Sequence, residues 1–72
     1  MKKRYQISDL DCAHCAAKME EAIRGMEGVN SVSVSVLTQK LVLDAEDSRF
    51  DDILRAALAA CKKIEPDCTI HI

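Results

Sequence analysis

Serine and valine alternate strictly along residues 31–36, and this segment constrains the fold more than any other part of the sequence. Alternation with a period of two places every valine on one face of a β-strand and every serine on the other. β-branched side chains also favour the extended backbone. Residues 37–40 then turn the chain, and Leu41-Val42-Leu43 returns as a second strand. The segment therefore predicts a β-hairpin with one buried face.

The first part of the chain predicts a strand followed by a helix. Residues 3–7 are expected to form a short strand with Tyr5 and Ile7 on one face. From Ala13 onward the pattern becomes helical, with charged residues on the side opposite the apolar ones. The apolar positions at helical spacing are Ala16, Met19, Ile23 and Met26. Gly25 and Gly28 offer positions where this helix can stop.

The last part of the chain predicts a second helix and a short final strand. Ser48 is expected to be the N-cap of this helix in a capping box, with Asp51 in the place usually held by Glu or Gln. The helix ends before Pro66, because the residue that precedes a proline avoids the helical region. Its apolar face comprises Ile53, Leu54, Ala57, Leu58 and Cys61. The last four residues form a strand with Ile70 and Ile72 on one side.

The complete order is therefore βαββαβ. This order predicts an α+β, ferredoxin-like fold, in which a four-stranded antiparallel sheet carries two helices on one face. Seventy-two residues suffice for one domain, so residues 1–72 are expected to fold as a single unit.

Charge and hydropathy narrow the classes of function. The net charge is −2, and Lys2, Lys3 and Arg4 are expected to be a solvated N-terminus instead of the basic stripe that nucleic-acid binding needs. No apolar run approaches the roughly 20 residues of a membrane span, and no signal-peptide pattern is visible. We therefore expect a monomeric protein of the reducing cytosol that neither binds nucleic acid nor inserts into a membrane.

Four cysteines are many for so short a chain. In a secreted protein they would indicate two disulfides, but without a secretory signal metal binding or redox chemistry is favoured. Cys12 and Cys15 form a Cys-x-x-Cys pair, whereas Cys61 and Cys68 are distant in sequence. Because both distant cysteines have apolar neighbours, we expect them to be buried or half-buried thiols. The alternative is that they complete a closed zinc site with four protein ligands.

The Cys-x-x-Cys pair lies at the start of the first predicted helix. The free N–H groups and the positive dipole end of a helix N-terminus stabilise the thiolate, which is the form that binds metal. Asp11 directly precedes Cys12 and is predicted to be a third ligand, the alternative being an ordinary helix-capping aspartate. His14 is expected to face solvent, and His71 to be structural or exposed. Small thiol–disulfide oxidoreductases share a Cys-x-x-Cys pair and are a further alternative.

Together these features resemble the heavy-metal-associated domain, whose members are metallochaperones and N-terminal domains of metal-transporting P-type ATPases. The resemblance covers residues 5–70 and implies that Cys12 and Cys15 are the metal-ligating cysteines. The segment Asp9-Leu10-Asp11 stands where Gly-Met-Thr is usual in the copper branch. An aspartate before the first cysteine is similar to the branch that exports zinc, cadmium and lead. Two further segments resemble that branch, Cys15–Glu20 and Lys62–Asp67.

Charge balance favours the same branch. Two thiolates suffice for a monovalent copper ion, whereas a divalent ion on two thiolates is neutral and under-coordinated until Asp11 is added. The resemblance implies the cytosolic N-terminal domain of a zinc-, cadmium- or lead-exporting ATPase, which is not an enzyme by itself. Its partner would be the membrane-embedded part of the transporter, in the same polypeptide. A free-standing copper(I) chaperone of the same fold is the alternative.

Overall fold

The computed structural model describes residues 1–72 and contains four strands and two α-helices. In chain order they are β1 (Lys2–Ser8), α1 (Ala13–Arg24), β2 (Val29–Ser35), β3 (Lys40–Ala45), α2 (Phe50–Ile64) and β4 (Thr69–His71). A 3₁₀ turn, Asp47–Arg49, leads into α2. This order confirms the predicted ferredoxin-like arrangement.

The four strands form one antiparallel sheet in the order β2-β3-β1-β4. In the β2–β3 hairpin, Val32 pairs with Leu43 and Val34 with Leu41, and all four side chains are buried. The serines of β2 are exposed or half-buried, so the alternation has the predicted effect. Val36 differs from the prediction, because β2 ends one residue earlier and Val36 lies half-buried in the turn.

Helix α1 buries the face that the helical spacing predicts, namely Ala16, Met19 and Ile23. It ends at Arg24, and Gly25 is its C-cap in an ordinary right-handed conformation. Met26 therefore lies beyond the helix, where it packs half-buried against the core. The prediction of one helical face extending to Met26 is wrong by this last residue.

Gly28, the second predicted helix stop, serves a different purpose. It lies in the connection from α1 to β2 and adopts φ 90°, a left-handed conformation that favours glycine. A Cβ atom at this position would lie only 2.7 Å from Cδ1 of Ile53 on α2. Gly28 thus allows both the turn and the close approach of α2.

The predicted capping box at the start of α2 is wrong. The helix begins at Phe50, its N-cap is Arg49, and no side chain caps it. Ser48 lies inside the 3₁₀ turn, where the amide of Arg49 donates to the carbonyl of Glu46 at 3.3 Å. Because this turn already pairs N–H groups at the helix start, a serine cap is not needed. Asp51 lies in the first helical turn, where its charge complements the positive dipole end.

Buried side chains of the sheet and both helices form one core. Helix α2 contributes one fully buried face, made by Phe50, Ile53, Ala57 and Cys61. The other two predicted face residues, Leu54 and Leu58, are half-buried. The chain has only one Phe, one Tyr and no Trp, so aliphatic side chains fill most of the core. The ring of Phe50 adds the one large aromatic side chain among the buried residues.

Strand β4 completes the sheet beside β1. Ile70 pairs with Ile7 and is half-buried, as predicted. Ile72 lies beyond the strand and is 80% exposed, so the predicted apolar side of the strand is reduced to Ile70. His71 is exposed, and its Nε2 lies 2.6 Å from Oγ of Ser8. This hydrogen bond joins the two strands and agrees with a structural or exposed role for the histidine.

Candidate metal centre

The loop between β1 and α1 is fastened to the β2–β3 connection by the side chain of Gln39. Its Oε1 accepts a hydrogen bond from the amide of Leu10 at 3.1 Å. Its Nε2 donates to the carbonyl of Leu10 and, at 2.7 Å, to the carbonyl of Val36. The side chain of Leu10 is itself buried in the core. The backbone immediately before Asp11 is therefore fixed by side-chain packing and by hydrogen bonds to both peptide groups of Leu10.

Cys12 is the N-cap of α1. Its extended backbone, at φ −118° and ψ 108°, lets Sγ accept the amide N–H of Cys15 at 3.2 Å. The sulfur thus pairs one of the N–H groups that a helix start leaves free, a task more often performed by an oxygen side chain. Hydrogen bonds from the thiol and the amide of Cys15 lower the pKa of the Cys12 thiol. Cys12 is the cysteine of the pair that ionises first.

Cys15 lies in the first turn of α1, and both cysteines are half-buried. The hydrogen bond with Cys12, together with partial burial, raises the pKa of the Cys15 thiol to about 11. The hydrogen bond between the two residues thus makes Cys12 the more acidic thiol and Cys15 the less acidic one. A cation that binds both sulfur atoms must displace the proton of Cys15, which makes binding by the pair dependent on pH.

Asp11 and His14 are both exposed, as expected for His14. The helix is capped by the sulfur of Cys12, so Asp11 does not act as the N-cap. No three His, Cys, Asp or Glu side chains lie close enough together to hold a metal ion. The structure therefore brings Cys12 and Cys15 together and leaves Asp11 adjacent in sequence but outside a three-residue cluster.

The second pair of cysteines belongs to the core. Cys61 is fully buried and Cys68 is 2% exposed, as their apolar neighbours predict. Burial raises the pKa of both thiols, that of Cys61 to about 11. Neither thiol joins Cys12 and Cys15 in a group that could hold a metal ion. The arrangement thus gives no support to a closed site with four cysteine ligands.

Two residues at this end of the molecule, Gln39 and Glu65, were not identified by their residue type or spacing. The Sγ atom of Cys15 donates to Oε2 of Glu65 at 3.8 Å, although 50 positions separate the two residues. Gln39 contacts Leu10 across 29 positions. Periodicity reveals neighbours within one helix or strand, whereas these contacts arise only when the sheet assembles. The one sequence signal that pointed to Glu65 was the resemblance of residues 62–67 to the branch that exports zinc, cadmium and lead.

The donor atoms at the loop suit a soft or borderline cation. Thiolate sulfur and carboxylate oxygen are both established zinc ligands, and thiolate also selects monovalent copper. A ferredoxin-like domain with a Cys-x-x-Cys pair at the start of its first helix has the architecture of a small metal-binding module. The fold and the paired thiols together therefore define the class of this protein as a small metal-binding domain.

The profile of the heavy-metal-associated domain matches residues 4–64, and the chain belongs to this family. It is 49% identical over 43 residues to the zinc/cadmium/lead-transporting P-type ATPase of Escherichia coli strain K12, which covers 60% of this chain and 6% of the ATPase. It is 31% identical over 64 residues to the copper chaperone CopZ of Enterococcus hirae, which covers 89% of this chain and 86% of the chaperone. The chain thus spans a small part of the ATPase and most of the chaperone.

Among solved structures, the N-terminal domain of ZntA in the apo-form matches with a TM-score of 0.74 at 36% identity. This match covers 97% of the present chain and 88% of the ZntA domain. Neither helix of the present chain has the length and apolar character needed to cross a bilayer. The chain is therefore a heavy-metal-associated domain related both to ATPase N-terminal domains and to chaperones.

Proposed function

We propose that this domain binds one zinc, cadmium or lead ion through Asp11, Cys12 and Cys15. It then delivers the ion to, or regulates, the membrane-embedded part of a metal-exporting P-type ATPase. In this proposal residues 1–72 are a single monomeric unit, the cytosolic N-terminal domain of that transporter in the same polypeptide. The domain catalyses no reaction, and the metal ion is its cargo.

The observation that carries this proposal is the contrast between the two cysteine pairs. Cys12 and Cys15 are half-buried at a helix start, whereas Cys61 and Cys68 are sequestered in the core. The loop therefore supplies two sulfur ligands and retains room for others. An acceptor can enter such an open coordination shell and take the ion by ligand exchange, which a closed four-ligand site resists.

Asp11 supports the choice of a divalent cargo. It is an exposed residue directly before the helix cap and is not itself the cap. Two thiolates leave a divalent ion neutral and under-coordinated, so a third ligand, a carboxylate oxygen, completes its coordination, whereas monovalent copper needs only the two thiolates. The similarity to the zinc/cadmium/lead-transporting ATPase, at 49% identity over 43 residues, points the same way.

The second candidate is a free-standing copper(I) chaperone. The observation that favours it is length, because the match to CopZ covers 86% of that chaperone. Under this alternative Cys12 and Cys15 hold the copper ion alone, and Asp11 contributes no ligand. The two candidates therefore differ in what Asp11 does, and in whether a transporter sequence continues after Ile72.

Replacement of Asp11 separates the two candidates. We expect Asp11→Asn to weaken zinc or lead binding by roughly 10–100-fold. Loss of a residue that only hydrogen-bonds to a metal ligand already has an effect of this size. Cuprous copper, which needs only the two thiolates, should be held with nearly unchanged affinity. The measurement is a competition titration against a chromophoric chelator under reducing conditions, once with each type of metal.

The matched control is Asp9→Asn, which removes the same charge two positions earlier from another exposed residue of the loop. It should leave both affinities close to those of the unmodified domain. Equal, small effects of Asp11→Asn on both metals would contradict the divalent assignment and favour the copper chaperone. The variant Cys61→Ala/Cys68→Ala should still bind one ion per chain, since its missing thiols lie in the core.

A further inference from the structure

Cys61 and Cys68 have no part in the proposed site at Asp11, Cys12 and Cys15, yet they form a second pair of thiols. Both residues line one cleft of about 340 Å³ between the end of α2 and β4. We infer that this second pair is a binding site for one mercuric ion, held in linear coordination by the two sulfur atoms. The inference goes beyond the proposed function and does not depend on which ion the loop carries.

The backbone brings the two cysteines together where α2 ends. The amide of Glu65 donates to the carbonyl of Cys61 at 2.9 Å, and the amide of Cys68 donates to the carbonyl of Glu65 at 3.3 Å. The thiol of Cys68 donates to the same carbonyl of Glu65 at 3.2 Å. Burial, and after it the charge of Cys68, raises the pKa of the Cys61 thiol, so the two sulfur atoms interact. Two successive hydrogen-bonded turns thus fold Cys68 back toward Cys61.

The surroundings of the pair determine how many ligands an ion can find there. Five of the seven residues that line the cleft are hydrophobic, among them Leu58 and Ile70, and none is an aspartate or glutamate. No third His, Cys, Asp or Glu side chain joins the two thiols in a group that could hold a metal ion. Zinc in a closed protein site takes four ligands, so the pair does not suit zinc. An ion bound here must be satisfied by two sulfur atoms.

Charge selects among the ions that accept two sulfur ligands. A monovalent ion such as cuprous copper on two thiolates leaves one negative charge, which is costly to bury in an apolar cleft. Lys62 at the cleft does not offset this charge. Burial raises the pKa of the Cys68 thiol, and the carboxylates of Glu65 and Asp67 act in the same direction, against Lys62. A divalent ion on two thiolates is neutral.

Mercuric mercury meets both requirements, because it is divalent and readily accepts two ligands in a linear arrangement. Thiolate sulfur, moreover, is the protein ligand that soft ions prefer. Mercuric chloride first forms one Hg–S bond at Cys68, which is 2% exposed, and one proton and one chloride leave. The sulfur of the fully buried Cys61 then displaces the second chloride and loses its own proton. The adduct is neutral at both stages, and no oxidation state changes.

The two sites of the domain should therefore differ in how readily they release an ion. Cys12 and Cys15 are half-buried at the loop, where an acceptor can approach them. An ion between Cys61 and Cys68 is enclosed by the core and links the end of α2 to the segment before β4. We expect this second site to retain its mercuric ion instead of passing it on.

The test counts mercuric ions per chain by native mass spectrometry after titration with mercuric chloride. We expect two ions on the unmodified domain and one on Cys12→Ser/Cys15→Ser. One ion is also expected on Cys61→Ala/Cys68→Ala, and none on the variant that lacks all four cysteines. Sulfur-to-mercury charge-transfer absorption should follow the same counts, and circular dichroism should show that the domain stays folded when the ion binds.

Competition with glutathione distinguishes one shared ion from two separate thiols. In the Cys12→Ser/Cys15→Ser background, Cys61→Ala and Cys68→Ala each leave a single thiol, so the second sulfur must come from solution. The intact pair should hold its ion against about tenfold more glutathione than either single variant, or more, because its two thiols belong to one folded chain.

Three results would overturn the second site: no mercuric ion on Cys12→Ser/Cys15→Ser, equal retention by the pair and the single variants, or loss of the folded spectrum on binding. The first and third need no substitution in the core, so they decide the matter even where a core variant fails to fold. A zinc titration of the unmodified domain tests the proposed function separately. Absence of zinc binding would contradict that function and leave the mercuric counts unaffected.

Discussion

Gln39 offers the sharpest test of how the fold supports the loop. Its side chain makes three hydrogen bonds to main-chain groups, two of them to the peptide groups of Leu10 and one to the carbonyl of Val36. The substitution Gln39→Ala removes all three and adds no new contact. Because Leu10 immediately precedes Asp11, the loss should loosen the start of the loop as well as lower the stability of the domain.

The magnitude follows from the number of bonds. One intramolecular hydrogen bond contributes about 0.5–1.5 kcal/mol net, because water replaces the lost partner in the unfolded chain. Three bonds therefore give about 1.5–4.5 kcal/mol, and water reaching the freed groups of this surface loop reduces the figure to about 1–3 kcal/mol. A domain of 72 residues has about 4–11 kcal/mol in total. The single substitution should thus remove a large fraction of the free energy of unfolding.

Backbone conformation supplies an internal check. Gln39 adopts φ 54°, in the left-handed region, where a non-glycine residue costs about 1–2 kcal/mol. Gln39→Gly loses the same hydrogen bonds but relieves this cost, so it should be more stable than Gln39→Ala and less stable than the unmodified domain. Thr38→Ala, in the same turn, is the control, because the Thr38 side chain is exposed and makes no hydrogen bond.

Urea unfolding followed by circular dichroism measures all four proteins, and amide hydrogen exchange at Leu10 measures the local effect. Exchange at this amide should accelerate in both Gln39 variants and remain slow in Thr38→Ala. The reasoning fails if Gln39→Ala unfolds within about 0.5 kcal/mol of the control, which is the usual range for a surface substitution without structural consequence.

Two further predictions concern stability. Gly28→Ala should destabilise the domain by about 1–3 kcal/mol, because it places Cβ 2.7 Å from Cδ1 of Ile53 on a backbone with φ 90°. Gly25→Ala is the control, since its Cβ would meet nothing closer than 3.7 Å. It should be neutral or stabilising in the same urea titration. Burial raises the pKa of Cys61 from 9.0 to about 11, so the unfolded chain ionises first as pH rises. The contribution of the Cys61 thiol to stability should be fully present below about pH 9 and fall by about 2–3 kcal/mol toward pH 11, so Cys61→Ala should show a smaller fall over this range; equal pH profiles would contradict this assignment.

The elements that sequence predicted well are those governed by local period. The alternation at residues 31–36 and the helical spacing from Ala16 to Ile23 each depend on one strand or one helix packing against the core. The start of α2 was wrong for a different reason. Ser48 and Asp51 fit a capping pattern, but a 3₁₀ turn competes for the same N–H groups and begins earlier in the chain. Helix ends are decided by such competition, which composition alone does not resolve.

The residues of the candidate site likewise differ in whether local sequence could predict them. Cys12 and Cys15 were predictable, because three residues along a helix start bring two side chains together. Gln39 and Glu65 were not, because their contacts with the loop depend on the sheet order and on the place where α2 ends. Asp11 was identified by its type and its position before Cys12, and its role as a ligand stays a prediction.

The separation of the core from the loop agrees with the proposed role of this domain as a carrier of a metal ion. Leu10 and Ala16, on either side of the loop, are both buried, so the two ends of the loop are fixed by the folded core. Asp11, Cys12 and Cys15 between them are exposed or half-buried and contribute nothing to that core. In a structural zinc site the ion supplies folding free energy, and its release unfolds the domain. Here the buried apolar core lies outside the loop, so we expect the domain to stay folded whether or not the loop holds an ion.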